Sequence, residues 1–111
     1  MINLKYKNKK LEKICNDEKE MRKYFNNDKM LIENLQALLF LFDNEDSIYN
    51  FSNKIYLKGY NFEKITNTKF YSMRIVPKKD KRKNRIILLI VSSDGKEIEI
   101  IDFDDEHRYR L

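Results

Sequence analysis

The stretch Arg85-Ile86-Ile87-Leu88-Leu89-Ile90-Val91-Ser92-Ser93-Asp94-Gly95-Lys96-Glu97-Ile98-Glu99-Ile100-Ile101-Asp102-Phe103 decides the fold. Arg85 to Ser92 is apolar on both faces, the pattern of a central strand covered on each side. Asp94-Gly95 is a strong signal for a two-residue hairpin turn. Lys96 to Phe103 then returns as the next strand, with Ile98 and Ile100 on one face and Ile101 and Phe103 on the other. Upstream, Phe70 to Val76 reads as a third strand, stopped by Pro77, and Lys78 to Asn84 is a charged connection. Nearer the start, Ile2 to Tyr6 alternates apolar and polar as a short strand. Asn8 is placed to cap a helix with Leu11, Ile14, Cys15, Met21 and Phe25 on its inner face, ending at Asn26-Asn27. Asp28 caps a second helix, with Leu31, Leu35, Leu38, Leu39 and Phe42 inward. Ser47 to Phe51 adds one short turn, and residues 52–69 read mainly as loop. The expected architecture is α+β: an N-terminal strand and a two-helix hairpin packed on a small antiparallel sheet, as one domain over residues 1–111.

Composition narrows the functional classes. Hydrophobic residues make up 41% and aromatics 13%, enough for a core, so the chain is not a disordered one. Two glycines and one proline leave no Gly-rich phosphate loop. The single cysteine excludes a disulfide framework, and with one histidine a zinc site is not expected. The longest apolar runs, Ala37 to Phe42 and Ile86 to Val91, are six residues each, too short for a membrane span. With no signal peptide at Met1-Ile2-Asn3-Leu4-Lys5, a cytoplasmic protein is expected. The net charge of +5 is unevenly spread: residues 54–91 carry eleven Lys and Arg against Glu63 and Asp80, a local +9. Residues 31–53 and 92–111 carry −4 each. A concentrated basic block calls for a polyanion or an acidic protein opposite it.

Several short stretches stand out in order along the chain. They are Tyr6-Lys7-Asn8-Lys9-Lys10-Leu11-Glu12-Lys13, Leu35-Gln36-Ala37-Leu38, Leu57-Lys58-Gly59, Tyr71-Ser72-Met73-Arg74-Ile75 and Asn84-Arg85-Ile86. The last is Ile98-Glu99-Ile100-Ile101-Asp102-Phe103, with His107 shortly after. That ordered set resembles the RelE/ParE superfamily of bacterial toxins, and within it the HigB-like plasmid-maintenance killer proteins. The resemblance implies a RelE-like fold and the toxin of a type II toxin–antitoxin system. It implies an mRNA interferase that cuts mRNA on the ribosome, silenced by a helix-turn-helix antitoxin, with no cofactor and no metal.

Such cleavage uses the neighbouring 2′-OH as nucleophile and needs a base, an acid and cations around the crowded phosphorus. Lys58, Arg74, Arg85 and His107 are the candidate catalytic residues. His107 is the only histidine and titrates near neutral pH. The resemblance places Lys58 and Arg85 on the phosphorane, and Arg74 is assigned to phosphate positioning. An arginine on a half-buried strand needs a reason: it clamps phosphate with two hydrogen bonds, or it pairs with Glu97 or Glu99 across the sheet. Lys58 is a phosphate ligand or an ordinary solvated lysine. Lys78, Lys79, Lys81, Arg82 and Lys83 form a basic run that either grips RNA backbone or simply solvates a hairpin. Tyr109 either stacks on a base or belongs to a frayed end. Cys15, on the core-facing stripe, is expected to be inert.

The sequence departs from the family pattern at Ile55, where many members carry a histidine, and at Asp104-Asp105-Glu106, which separate Phe103 from His107. These departures carry the alternative reading: a non-catalytic, protein-binding member of the same fold, gyrase-inhibitor-like or a phage-borne interaction protein.

Overall fold

The computed structural model describes residues 1–55, 58–79 and 83–103. It is a compact α+β domain in which four helices cover one face of a five-stranded mixed sheet. The elements run β1 (Asn3–Tyr6), α1 (Lys9–Asn16), α2 (Glu18–Tyr24), α3 (Lys29–Asn44), α4 (Ile48–Ile55), β2 (Glu63–Lys64), β3 (Phe70–Arg74), β4 (Arg85–Ile90) and β5 (Glu97–Asp102). The sheet order is β1-β5-β4-β3-β2. The doubly apolar strand Arg85–Ile90 is indeed central, and Ile86, Ile87 and Leu88 are fully buried.

Four expectations are corrected, the last of them in the β4–β5 loop described below. First, the sheet is not wholly antiparallel: β1 pairs with β5 in parallel, from Asn3↔Glu97 to Tyr6↔Ile100. Alternation over so few residues fixes which side chains face inward but carries no strand direction. Second, the expected continuous helix from Asn8 to Phe25 breaks at Asp17. That residue is extended (φ −126°, ψ 112°). Its N–H closes α1 on the Lys13 carbonyl at 2.9 Å, while its carboxylate accepts from the Lys19 N–H at 3.0 Å and opens α2. An aspartate that binds a backbone N–H two residues ahead competes with the helix it would otherwise continue. Third, the single turn expected after Ser47 is a two-turn helix. The Ser47 hydroxyl accepts from the Asn50 N–H, and Ile48, Phe51 and Ile55 bury their side chains. Asn8 and Asp28 cap α1 and α3 as read.

The main core lies between the helices and the inner sheet face, where Met73, Ile86, Leu88, Ile98 and Ile100 meet Leu11, Ile14, Met21, Leu35, Leu38 and Phe42. Phe42 and Phe51 lock α3 to α4, with ring centroids 4.6 Å apart. The β4–β5 loop is longer than the two-residue turn expected: Val91 N–H bonds the Glu97 carbonyl, and the Gly95 N–H bonds back to Ser92. Gly95 sits at φ +72°, and a Cβ there would lie 2.6 Å from the Tyr49 ring, so glycine lets this loop pack on α4.

Among the described residues, no helix packs on the outer sheet face. Its residues include Phe70, Ser72 and Arg74 on β3, and Arg85, Ile87 and Leu89 on β4. Ile87 forms a second small apolar cluster there with Ile65 and Ile101, flanked by Phe70 and Leu89.

Candidate functional site

The end of the sheet where β3 leads into β4 gathers four of the cations singled out in the sequence. Arg74 and Arg85 are direct cross-strand partners, which puts two guanidinium groups side by side on the outer face. Both residues are half-buried, and the Nε of Arg74 and one Nη of Arg85 are shielded from solvent.

Lys58 reaches the same place through Gly59. The Lys58 N–H donates to the Ile55 carbonyl at 3.0 Å, ending the turn after α4. Gly59, at φ +82°, then swings the chain alongside β3. The Arg74 N–H donates to the Tyr60 carbonyl at 2.6 Å, and the Arg74 Nη1 donates to the Gly59 carbonyl at 3.5 Å. The Lys78 N–H donates to that same carbonyl at 2.9 Å. The Lys78 side chain lies directly over Gly59: a Cβ added there would meet Lys78 Cγ at 2.5 Å. Only glycine accommodates both that close approach and the left-handed backbone.

Lys58, Arg74, Lys78 and Arg85 are thus joined by one chain of contacts. Among the described residues, neither Lys58 nor Lys78 forms an ion pair. The pairing considered for the arginines is not made with Glu97 or Glu99. The Glu97 carboxylate takes Lys5 at 3.3 Å and Asn3 at 3.2 Å. Glu99 stands opposite Leu89, four residues along β4 from Arg85, about 13 Å at strand rise.

The basic run after Pro77 does not act as one body. Lys78 joins the cluster over Gly59. Lys79 turns to α3, where its ammonium lies 3.6 Å from the Met30 sulfur. Lys83 turns to α2, donating to the Tyr24 carbonyl at 2.8 Å and sitting 4.3 Å from the centre of the Tyr24 ring. An ammonium on the last carbonyls of a helix satisfies an orphan acceptor and meets the negative end of the dipole. Lys81, Arg82, His107 and Tyr109 lie outside the described residues.

One residue of this site carried no functional reading in the sequence: Asn84. Its side chain is buried, and its Oδ1 accepts from the Val76 N–H at 2.6 Å. Its Nδ2 donates to the Val76 carbonyl at 3.1 Å and to the Lys79 carbonyl at 2.5 Å. It prolongs the β3–β4 pairing past Arg74 and Arg85 with a side chain in place of backbone, and so fixes the connection that carries Lys78 and Lys83. The only available signal was an asparagine just before an apolar strand, which reads equally well as a turn residue.

Elsewhere, Tyr6 and Cys15 share a side-chain hydrogen bond beside α1. Burial pushes the Cys15 thiol up to about 12, with the Tyr6 hydroxyl opposing. Burial, with Cys15 beside it, likewise pushes Tyr6 up to about 12. That thiol is inert at neutral pH, as its place on the helix stripe suggested. Among the described residues no group of three His, Cys, Asp or Glu side chains is placed to hold a metal ion, and no helix is long and apolar enough to cross a membrane.

Comparison with known proteins finds no matching family model, no matching curated protein and no matching solved structure.

Proposed function

We propose that the chain is an endoribonuclease toxin of the RelE/HigB type, acting on mRNA at the ribosome in the cytoplasm and neutralised by a helix-turn-helix antitoxin. One observation supports this reading above the others: Lys58, Arg74, Lys78 and Arg85, scattered over residues 58–85, converge around Gly59 and one rung of the sheet. Paired guanidiniums beside two ammoniums suit a phosphodiester passing through a dianionic, five-coordinate state. The 2′-oxygen of one nucleotide attacks the adjacent phosphorus. The P–O2′ bond forms and the P–O5′ bond breaks, leaving a 2′,3′-cyclic phosphate and a 5′-hydroxyl. A base takes the 2′ proton and an acid protonates the departing 5′-oxygen. His107 is the residue assigned to that proton transfer, and Arg74 and Arg85 to the non-bridging oxygens.

The test is induced expression with growth and mRNA 5′ ends followed together. Wild type arrests growth and creates new 5′-hydroxyl ends within translated messages. Arg85→Gln and Lys58→Gln each lower cleavage by about 10²-fold or more, the usual loss for one transition-state donor. Growth arrest without new RNA ends, unchanged in His107→Ala, would replace this reading by the non-catalytic, protein-binding one.

A further inference from the structure

A second basic feature lies at the same end of the sheet, across the β3–β4 connection from the cluster around Gly59. It is a cleft of about 460 Å³ between α1, α2 and the connection, lined by Lys10, Glu20, Lys23, Tyr24, Asn26 and Lys83. A smaller cleft of about 210 Å³ adjoins it, sharing Lys10, Ile14 and Tyr24 and adding both Lys7 and Asp102. The Tyr24 ring organises both. Its edge packs on Phe25 with centroids 4.9 Å apart, and it lies 6.1 Å from Phe103, which anchors it to the core. Its electron-rich face draws in ammonium groups: Lys83 at 4.3 Å and Lys10 at 5.8 Å.

Three lysines elsewhere on the surface have carboxylate partners: Lys5 with Glu97, Lys29 with Glu33 and Lys54 with Glu45. Among the described residues Lys10, Lys23 and Lys83 have none. Two of these cations lie over the Tyr24 ring, and the three together outnumber the Glu20 carboxylate in the same lining, which leaves the cleft net positive and suited to an anion.

The backbone supplies an independent observation. Lys78 and Lys83 both hold left-handed conformations, at φ +61° and +64°, which a lysine adopts only at an energetic cost unless its surroundings enforce it. Asn84 ties the described flanks of the connection together, through Val76 and Lys79. The result is directional: the connection hands Lys78 to the Gly59 cluster and Lys83 to the Tyr24 cleft.

We infer that the Tyr24 cleft is a second phosphate subsite for a single-stranded RNA, holding a backbone phosphate a few nucleotides from the one seated on Arg74 and Arg85. The inference rests on the RNA reading proposed above. Lys83 and Lys10 meet the phosphate oxygens, Lys23 closes the outer side, and Asn26 offers an amide. The contact is to backbone and does not discriminate sequence.

The experiment uses the full chain and a short fluorescent single-stranded RNA, 2′-O-methylated so that it is not cleaved. Affinity is measured between about 50 and 200 mM salt. The doubly substituted Lys10→Gln/Lys23→Gln variant is compared with Lys19→Gln/Lys96→Gln, which removes the same charge from exposed sites outside the cleft, and with Arg85→Gln. The cleft variant should bind roughly five- to tenfold more weakly, and its salt dependence should flatten by about 0.7 in log–log slope for each phosphate it no longer neutralises. The control pair should stay near wild type. RNA should also move the amide resonances of Tyr24, Asn26 and Lys83 in the unmodified protein. A cleft variant that matches the control while Arg85→Gln binds weakly overturns the subsite and leaves the RNA reading standing. Wild type that binds no RNA overturns both. Inorganic phosphate moving the same amides as far as RNA does, with RNA affinity unchanged in the cleft variant, assigns the cleft to a free anion and overturns the subsite.

Discussion

Replacing Asn84 by alanine tests how the site is held. The asparagine makes three hydrogen bonds inside the β3–β4 connection, and its side chain is 1% exposed. Alanine strands the N–H and the carbonyl of Val76, a residue that is itself only 4% exposed. Each such orphaned group costs about 1–3 kcal/mol. The third partner, the carbonyl of Lys79, belongs to an exposed residue and regains water. The expected loss is therefore about 3 kcal/mol, a fall of roughly 10–20 °C in Tm for a domain of this size. Urea unfolding at neutral pH measures it through the shift in midpoint at constant slope. N84D sharpens the test. It keeps an acceptor for the Val76 N–H but turns a carboxylate oxygen toward two carbonyls in a buried place, which raises the folded-state pKa of the new carboxyl. A carboxyl raised in this way favours the fold below its unfolded pKa, and that stability is lost as pH rises through the folded value. N84D should therefore be weakest at neutral pH and recover in mild acid. A loss under about 1 kcal/mol in N84A, or a pH-independent N84D, would refute the claim that this side chain holds the connection.

Other expectations follow from single contacts. Gly59→Ala meets the Lys78 side chain at 2.5 Å and an unfavourable φ of +82°; it should lose about 1–2 kcal/mol of stability together with RNA cleavage, read by thermal unfolding and by 5′-end mapping. Asp17→Ala removes the residue that ends α1 and opens α2 and should cost about 1 kcal/mol, read in the urea midpoint. Cys15 should react with a disulfide reagent at pH 8 about 10³-fold more slowly than a free thiol, since its pKa stands at about 12 against an ordinary 9.0. Because Cys15 and Tyr6 are both raised, their burial as neutral groups supports the fold fully below pH 9.0, and that support is lost as pH rises toward about 12; urea midpoints at neutral and strongly alkaline pH report it.

The parts of this molecule legible in the sequence are those set by local periodicity. The doubly apolar run Arg85–Ile90 had to be central, and the stripe Leu31, Leu35, Leu38 and Phe42 had to face a sheet; both do. What was not legible depends on pairs far apart in the chain or on one polar atom. The parallel partnership of β1 with β5 joins residues 94 positions apart, and no local pattern encodes it. Asp17 breaks a helix whose apolar spacing runs through it, because one carboxylate bond to Lys19 N–H outweighs continuation. Residues 52–69 read as loop because Ile48, Phe51 and Ile55 span the boundary drawn there, so their shared face was cut in two. The cations of the site were individually visible, yet their meeting was not: it depends on Gly59 reaching the end of β3 and on Asn84 closing the connection.

That division also explains the uneven charge. A block of +9 over residues 54–91 suggests one continuous basic patch, but the connection splits it. Lys78 leans over Gly59 toward the arginine pair, Lys79 goes to Met30, and Lys83 goes to Tyr24. A patch built only for solubility has no reason to hold two of its lysines in left-handed backbone around a buried asparagine, since exposed lysines solvate equally well on a relaxed loop. Lys78 and Lys83, both in left-handed backbone, aim their cations in two directions from one end of the sheet. Two separated cation sets suit an extended polyanion, with a charge on every nucleotide, better than a single small anion, which would need only one, and so they support the proposed RNA reading.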